Sequence, residues 1–240
     1  MVFPVTNNLY WYFTAYTGLF FLIPILNAGV RNCEEKLLKK TLVVIFIIYI
    51  CFDNTVNRFC MMKGYSFIWL VILYLMGAII KKCKIGENLK ISVCMLGIFI
   101  MSFITWIWKM YGIETEFYNG IINKNLLISY TSPTIVVIAV LYVIGFSKLK
   151  FNDKIESVIK FLAPGTFAVY ILNNHKYIWM YVMTDRFSKL AIMNPFALIG
   201  VVIGFSFLFV MISICIDKLR IIIFDKLKIK VIVKKLLREK

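Results

Sequence analysis

The sequence predicts an all-α polytopic membrane helix bundle of about seven spans, and three observations carry that prediction. First, 61% of the 240 residues are hydrophobic and only 17% are charged, against roughly 45–50% and about 25% in a soluble domain; mean hydropathy is +0.84. Second, the apolar residues gather into blocks long enough to meet lipid. Third, the strict alternation that an outer-membrane barrel requires is missing. A soluble single domain and a disordered chain are both excluded. The length suits one bundle and leaves no room for a separate soluble domain.

The blocks fall in order at about 10–30, 37–52, 65–80, 91–108, 130–146, 158–172 and 196–216. Each is expected to be helical, because lipid offers the backbone no hydrogen-bond partners. The second block is short, and the sixth is broken by Pro164 and Gly165. No basic segment precedes the first block, so nothing resembles a cleavable signal peptide.

Net charge is +16. In a soluble protein such an excess points to nucleic acid; here the basic residues lie between apolar blocks, where they orient spans and meet anionic lipid headgroups. No nucleic-acid partner is expected. The first connection holds Arg31, Lys36, Lys39 and Lys40, the second Arg58 and Lys63, the third Lys81, Lys82, Lys84 and Lys90. The fourth holds Lys109 and Lys124, the fifth Lys148, Lys150, Lys154 and Lys160, the sixth Lys176, Arg186 and Lys189, and the tail from 217 nine more. High and low alternate without a break, so the positive-inside rule places the N-terminus outside and the C-terminus inside. The chain is expected to be a multi-pass protein of the plasma membrane.

The aromatic residues are asymmetric as well. Trp11, Trp69, Trp106, Trp108 and Trp179 fall at outer span ends or in outer loops, as do Tyr10, Tyr12, Tyr16, Tyr49, Tyr65, Tyr111, Tyr118, Tyr130, Tyr170, Tyr177 and Tyr181. Either this is an interfacial belt, or the outer face also lines a polar cavity where rings stack on sugars. The tail 217–240 forms the second segment beside a 1–216 membrane domain. Lys226, Lys230, Lys234 and Arg238 share a face at four-residue spacing, which describes an imperfect amphipathic helix on the inner leaflet; a plain solvated tail is the alternative.

Candidate chemistry is sparse. The cysteines (33, 51, 60, 83, 94, 215) form no C-x-x-C pair, and a single histidine stands in the whole chain. No metal site is expected, and most of the cysteines read as small core hydrophobes. Polar residues at membrane depth tend to be functional. Asp53 and Asn54 end the second block on the outer side, Asn57 and Arg58 follow, and Ser132 and Thr134 open the fifth. Asp53 and Arg58 either pair with each other or bind a sugar hydroxyl. Glu114 and Glu116 read as a solvated face. Lys81, Lys82 and Lys84 lie where an anionic co-substrate could arrive, although topology alone already calls for them.

The run Tyr10-Trp11-Tyr12-Phe13-Thr14-Ala15-Tyr16-Thr17-Gly18-Leu19-Phe20, continuing to Pro24-Ile25-Leu26-Asn27, resembles a landmark of the integral-membrane acyltransferase 3 family, Y-W-F-x-T-A-Y-x-x-L followed by P-x-L-N. Tyr130-Thr131-Ser132-Pro133 is similar to the family's Y-x-S-P segment. Phe161 to Leu172, reading F-L-A-P-G-T-F-A-V-Y-I-L, is similar to its late F-L-A-P-S-T-F-G-V-Y-L-I segment. The landmarks come in the family's order, and the branch most resembled O-acetylates surface polysaccharides.

The resemblance implies acetyl transfer from a cytoplasmic acetyl-CoA, or another acyl-CoA, to a sugar hydroxyl, with no bound cofactor. Its partners are then membrane lipids, a glycan acceptor and a separate N-terminal segment, since family members carry about three further spans and an intramembrane histidine ahead of these landmarks. On that expectation the chain is N-terminally truncated and inactive alone. Where related sequences read L-I-H-D-H, this chain has Leu172-Asn173-Asn174-His175 with Ile171 before it; His175 matches the second histidine, and the carboxylate position is Asn174. His175 is the catalytic candidate, or else an outer-loop histidine satisfied by neighbours. Trp11, Tyr16, Asp53, Arg58 and Trp179 are the substrate-binding candidates. A non-enzymatic remnant or subunit and a sugar-lipid transporter are the competing readings. The transporter is the weaker, because one broken block and no internal repeat are present.

Overall fold

The computed structural model describes residues 10–52, 59–117, 120–122, 124–185, 188–190 and 192–228. All seven apolar blocks lie in helix. They form α1 (Trp11–Asn32), α2 (Glu35–Ile45), α3 (Phe67–Lys82), α4 (Ile91–Tyr111), α5 (Pro133–Ser147), α6 (Asp153–Leu162), α7 (Thr166–Asn173) and α8 (Pro195–Lys226). Among the described residues, five helical segments are long and apolar enough to cross a membrane: 11–32, 91–111, 126–147, 153–173 and 195–226. The fold class is therefore all-α and membrane-embedded. It is interrupted by one small antiparallel hairpin, β1 (Thr115–Phe117) with β2 (Gly120–Ile122), which the apolar pattern does not announce.

Local chemistry sets the helix ends. Ser66 accepts a hydrogen bond from the Trp69 N–H at 3.1 Å and starts α3. Asn152 does the same for Ile155 at the head of α6, and Asn194 for Phe196 ahead of Pro195 in α8. Pro164 has no N–H to continue α6, so residues Ala163–Gly165 tighten into a 3₁₀ turn before α7 begins. The short second block is completed by a π-helical turn, Phe46–Phe52.

The chain forms two compact units, residues 1–150 and 151–240. In the first, α1 and α3 run parallel. Trp11 meets Tyr65 at one end, Asn27 accepts from the Tyr74 hydroxyl midway at 2.8 Å, and Lys82 meets the C-terminus of α1 at the other. The α2 helix returns alongside α3 in the opposite sense, as the cluster Val30, Leu38, Ile79 and Cys83 at one end and Ile45, Ile50, Met61, Trp69 and Ile72 at the other require. α4 and α5 pack antiparallel, with Gly97 against Leu141 and Gly145 against Cys94. Trp69 is thus a core residue, only 2% exposed, and not part of the outer aromatic face that its position in the sequence implied. The cysteines divide: Cys83 and Cys94 are buried, Cys33 is half-buried, and Cys51, Cys60 and Cys215 are exposed.

In the second unit, Gly165 lets the break after α6 approach Ile214 of α8, and Lys218 lies over the Phe161 ring at 4.2 Å. At 32 residues, α8 extends about 48 Å, well beyond the roughly 30 Å hydrocarbon layer. The start of the basic tail therefore continues the last helix without a break to Lys226. Asp217, 7% exposed, is held by Arg220 at 2.8 Å. Lys230, Lys234, Lys235 and Arg238 lie outside the described residues.

Candidate functional site

The parallel register of α1 and α3 gives the first unit two chemically different ends. At one end the helix termini carry Arg31, Lys36, Lys81, Lys82, Lys84, Lys90 and Lys148. Lys82 is spoken for. Its ammonium donates to the carbonyls of Val30, Arg31 and Cys33 at 2.7–2.8 Å, which are the acceptors a helix C-terminus leaves open. The positive charge also complements the α1 dipole. Lys148 donates to the Glu87 carbonyl at the same end.

The opposite end is aromatic. The rings of Trp11 and Tyr65 stand 4.8 Å apart at 60°, and those of Tyr65 and Tyr130 stand 5.3 Å apart at 68°. Three separate elements supply these rings: the head of α1, the loop before α3 and the segment before α5. Tyr12 stacks on Tyr16 at 6.3 Å beside them, both exposed. Among the substrate-binding candidates, Trp11 is thereby joined to Tyr65 and Tyr130, while Tyr16 stacks one helical turn further along. Asp53 and Arg58 lie outside the described residues. Trp179 belongs to the second unit.

Gly64 builds the contact. Its φ is +97°, and a Cβ there would stand 2.4 Å from Tyr130 Cβ, so no side chain fits. Cys60, Met62 and Lys63 also hold positive φ (56°, 49° and 54°) although none is glycine. Below Tyr130 the hydroxyls serve the backbone: Ser132 donates to the Leu126 carbonyl and Thr134 to that of Leu127. Both residues are buried. Their hydroxyls shape the Tyr-Thr-Ser-Pro turn and leave Tyr130 as the group it presents.

His175 sits in the second unit, in the turn between α7 and a π-helical turn, Trp179–Met183. Its imidazole lies 5.7 Å from the Tyr177 ring, and Nδ1 is buried without a hydrogen-bond partner among the described residues. Asn174, at the position where a carboxylate was looked for, donates its side-chain amide to the Tyr170 carbonyl at 2.9 Å and so closes α7. Tyr177 and Tyr181 stack at 6.4 Å, and Trp179 is exposed. No cluster of metal-binding side chains forms among the described residues.

The family model described as an acyltransferase domain, Acyl_transf_3, matches residues 1–216. The chain belongs to the acyltransferase 3 family. The match spans both compact units and takes in the Trp11, Tyr130 and Pro164 segments. No curated protein and no solved structure matches the chain. An acyltransferase 3 protein is a membrane acyltransferase, and the two ends of this chain's first unit are chemically unlike. The sequence sets Tyr65 only among the outer aromatics and Lys82 only within the basic run with Lys81 and Lys84. The Lys-Gly-Tyr-Ser run at 63–66 is the one local signal for the first, and nothing short of the helix register signals the second.

Proposed function

We propose that this acyltransferase 3 chain serves a membrane O-acylation in which acetyl passes from acetyl-CoA to a sugar hydroxyl of a surface polysaccharide. It does so at the plasma membrane, which it crosses several times, N-terminus outside. The observation that supports this reading best is the opposition of a lysine end and an aromatic end along one helix pair. α1 has 22 residues, so the ends stand about 33 Å apart, close to the thickness of the hydrocarbon layer. The phosphates of an acyl-CoA suit the lysine end, where Lys81 and Lys84 are exposed, with the pantetheine arm carrying the thioester inward toward the acceptor. A sugar suits the aromatic end.

In the reaction the sugar oxygen attacks the thioester carbonyl, a C–O bond forms, and the C–S bond breaks. The hydroxyl proton leaves through a general base and ends on the coenzyme thiolate. Within the chain the only imidazole is His175, set among aromatic residues and next to Asn174 rather than a carboxylate. We assign the base to a partner segment and not to His175.

The test is transfer of labelled acetyl from acetyl-CoA to de-O-acetylated polysaccharide, in membranes holding the chain and such a segment. Alkali-labile label on the polysaccharide is the expected product; label confined to lipid or protein would contradict the acceptor assignment. Orientation is tested separately by an impermeant maleimide on intact cells. Cys60, exposed at the aromatic end, is expected to react, and a variant retaining only Cys33 is expected to react only after permeabilisation. Labelling of Cys33 in intact cells with Cys60 protected reverses the orientation.

A further inference from the structure

The loop from Cys60 to Gly64 holds positive φ at four of its five positions, and three of those residues are not glycine. Non-glycine residues in this region are strained and persist only where the surroundings over-determine them. Here Met61, fully buried in the core of Ile45, Ile50 and Trp69, pins the middle of the loop. The product of that strain is the placement of one ring. Tyr65 stands edge-on between Trp11 and Tyr130, with Gly64 allowing Tyr130 to close against it. An interfacial belt has no need of this. A belt asks only that amphipathic rings lie at the headgroup level.

The rings nevertheless remain open. Tyr65 is 51% and Tyr130 52% exposed, so each keeps ring surface available, and the two phenols, hydrogen-bonded to each other, keep their remaining donor and acceptor capacity. Edge-to-face rings from three elements form a stepped surface. Such a surface matches the C–H face of a pyranose, while phenol hydroxyls can donate to or accept from sugar hydroxyls.

We propose that Tyr65 and Tyr130, with Trp11, form the binding platform for the acceptor sugar, and that the strained 60–64 loop exists to set it. Tyr65 and Tyr130 are binding residues in this scheme, and they take no part in the proton transfer. The proposal rests on the acceptor reading above and adds to it the residues that hold the sugar.

The experiment measures equilibrium binding of de-O-acetylated surface polysaccharide to the full chain in lipid nanodiscs, with no acetyl-CoA present. Tyr65→Ala and Tyr130→Ala are each expected to raise Kd by about tenfold, as loss of an aromatic contact in a desolvated site does. Phe99→Ala, an exposed ring far along α4, is expected to leave it unchanged. Tyr65→Phe and Tyr130→Phe keep the ring packing and remove a hydroxyl together with the bond the two phenols share. Weaker binding by these two, with melting unchanged, supports the platform whatever the alanine variants do to folding.

If the unaltered chain binds the polysaccharide and all four tyrosine variants bind it equally well, the platform is wrong and the acceptor reading stands. Lower folded yield with unchanged affinity marks a lipid belt and overturns the platform in the same way. If the unaltered chain does not bind the polysaccharide, the acceptor reading fails and the platform with it.

Discussion

Membranes holding the 240-residue chain as the only added protein are expected to transfer no acetyl from acetyl-CoA to polysaccharide above the uncatalysed rate. A hydroxyl at neutral pH is a poor nucleophile, and a positioned general base contributes typically 10²–10⁴-fold. Imidazole is the side chain whose proton affinity suits that work, and this chain has one. Two features of His175 argue against it. Asn174 stands where a carboxylate would orient and charge-balance the ring; it is neutral, and its amide N–H donates to the Tyr170 carbonyl. The ring itself lies against Tyr177, with Nδ1 shut from solvent and unpartnered among the described residues. Co-expression of a segment bearing an intramembrane imidazole is therefore expected to raise transfer by about 10²–10⁴-fold, and His175→Ala in that pair to leave the rate within a small factor. Transfer by the chain alone, abolished by His175→Ala, reverses this assignment and makes His175 the base.

Lys82→Met is expected to be the most damaging single change at the lysine end. The substitution keeps the length of the stem but removes a donor that serves three carbonyls at the C-terminus of α1. Hydrogen bonds from charged groups are worth about 1.5–3 kcal/mol. Lys82 is half-exposed, so screening trims the figure, and a loss of about 2 kcal/mol is expected. Thermal unfolding of the detergent-solubilised protein checks it, with Lys81→Met as control. Lys81 is exposed on the neighbouring position, and its loss is expected to move the midpoint little. Equal midpoints for the two variants would reduce Lys82 to a topology signal.

The contrast between these two lysines shows how much the sequence made legible. Apolar blocks read directly as helices because lipid leaves the backbone no other choice, and the Pro164–Gly165 break was visible because proline cannot donate. Charge alternation identified which connections are basic, yet nothing in Lys81-Lys82 says which of the pair turns back onto α1. That depends on α1 and α3 running parallel in a register set by Gly18 against Phe67 and Asn27 against Tyr74. Trp69 went astray for a related reason. It starts a helix at the aromatic end, but its face of α3 looks inward to Ile50 and Met61, and a hydrophobic stretch this uniform shows no face.

The site was legible in part. Trp11 was singled out, and the structure places it in the aromatic cluster. Tyr65 is one of many outer aromatics, and Tyr130 stands out only as the head of the Tyr-Thr-Ser-Pro segment. What distinguishes them is the left-handed backbone at Cys60, Met62 and Lys63, residue types that give no warning of it. The π-helical turns at Phe46–Phe52 and Trp179–Met183 also leave no mark in the sequence, because the apolar pattern carries no cue that separates an i→i+5 turn from an α-helical one.

Sidedness of transfer tests the central claim, that donor and acceptor meet the protein at opposite ends. The chain and a segment bearing an intramembrane imidazole, as proposed above, are reconstituted into vesicles, oriented molecules are selected by Cys60 accessibility, and polysaccharide is sealed on the side where Cys60 reacts. Labelled acetyl-CoA added to the other side is expected to label the sealed polysaccharide, and acetyl-CoA sealed in with the polysaccharide is not. Labelling only when donor and acceptor share the Cys60 side would contradict the account.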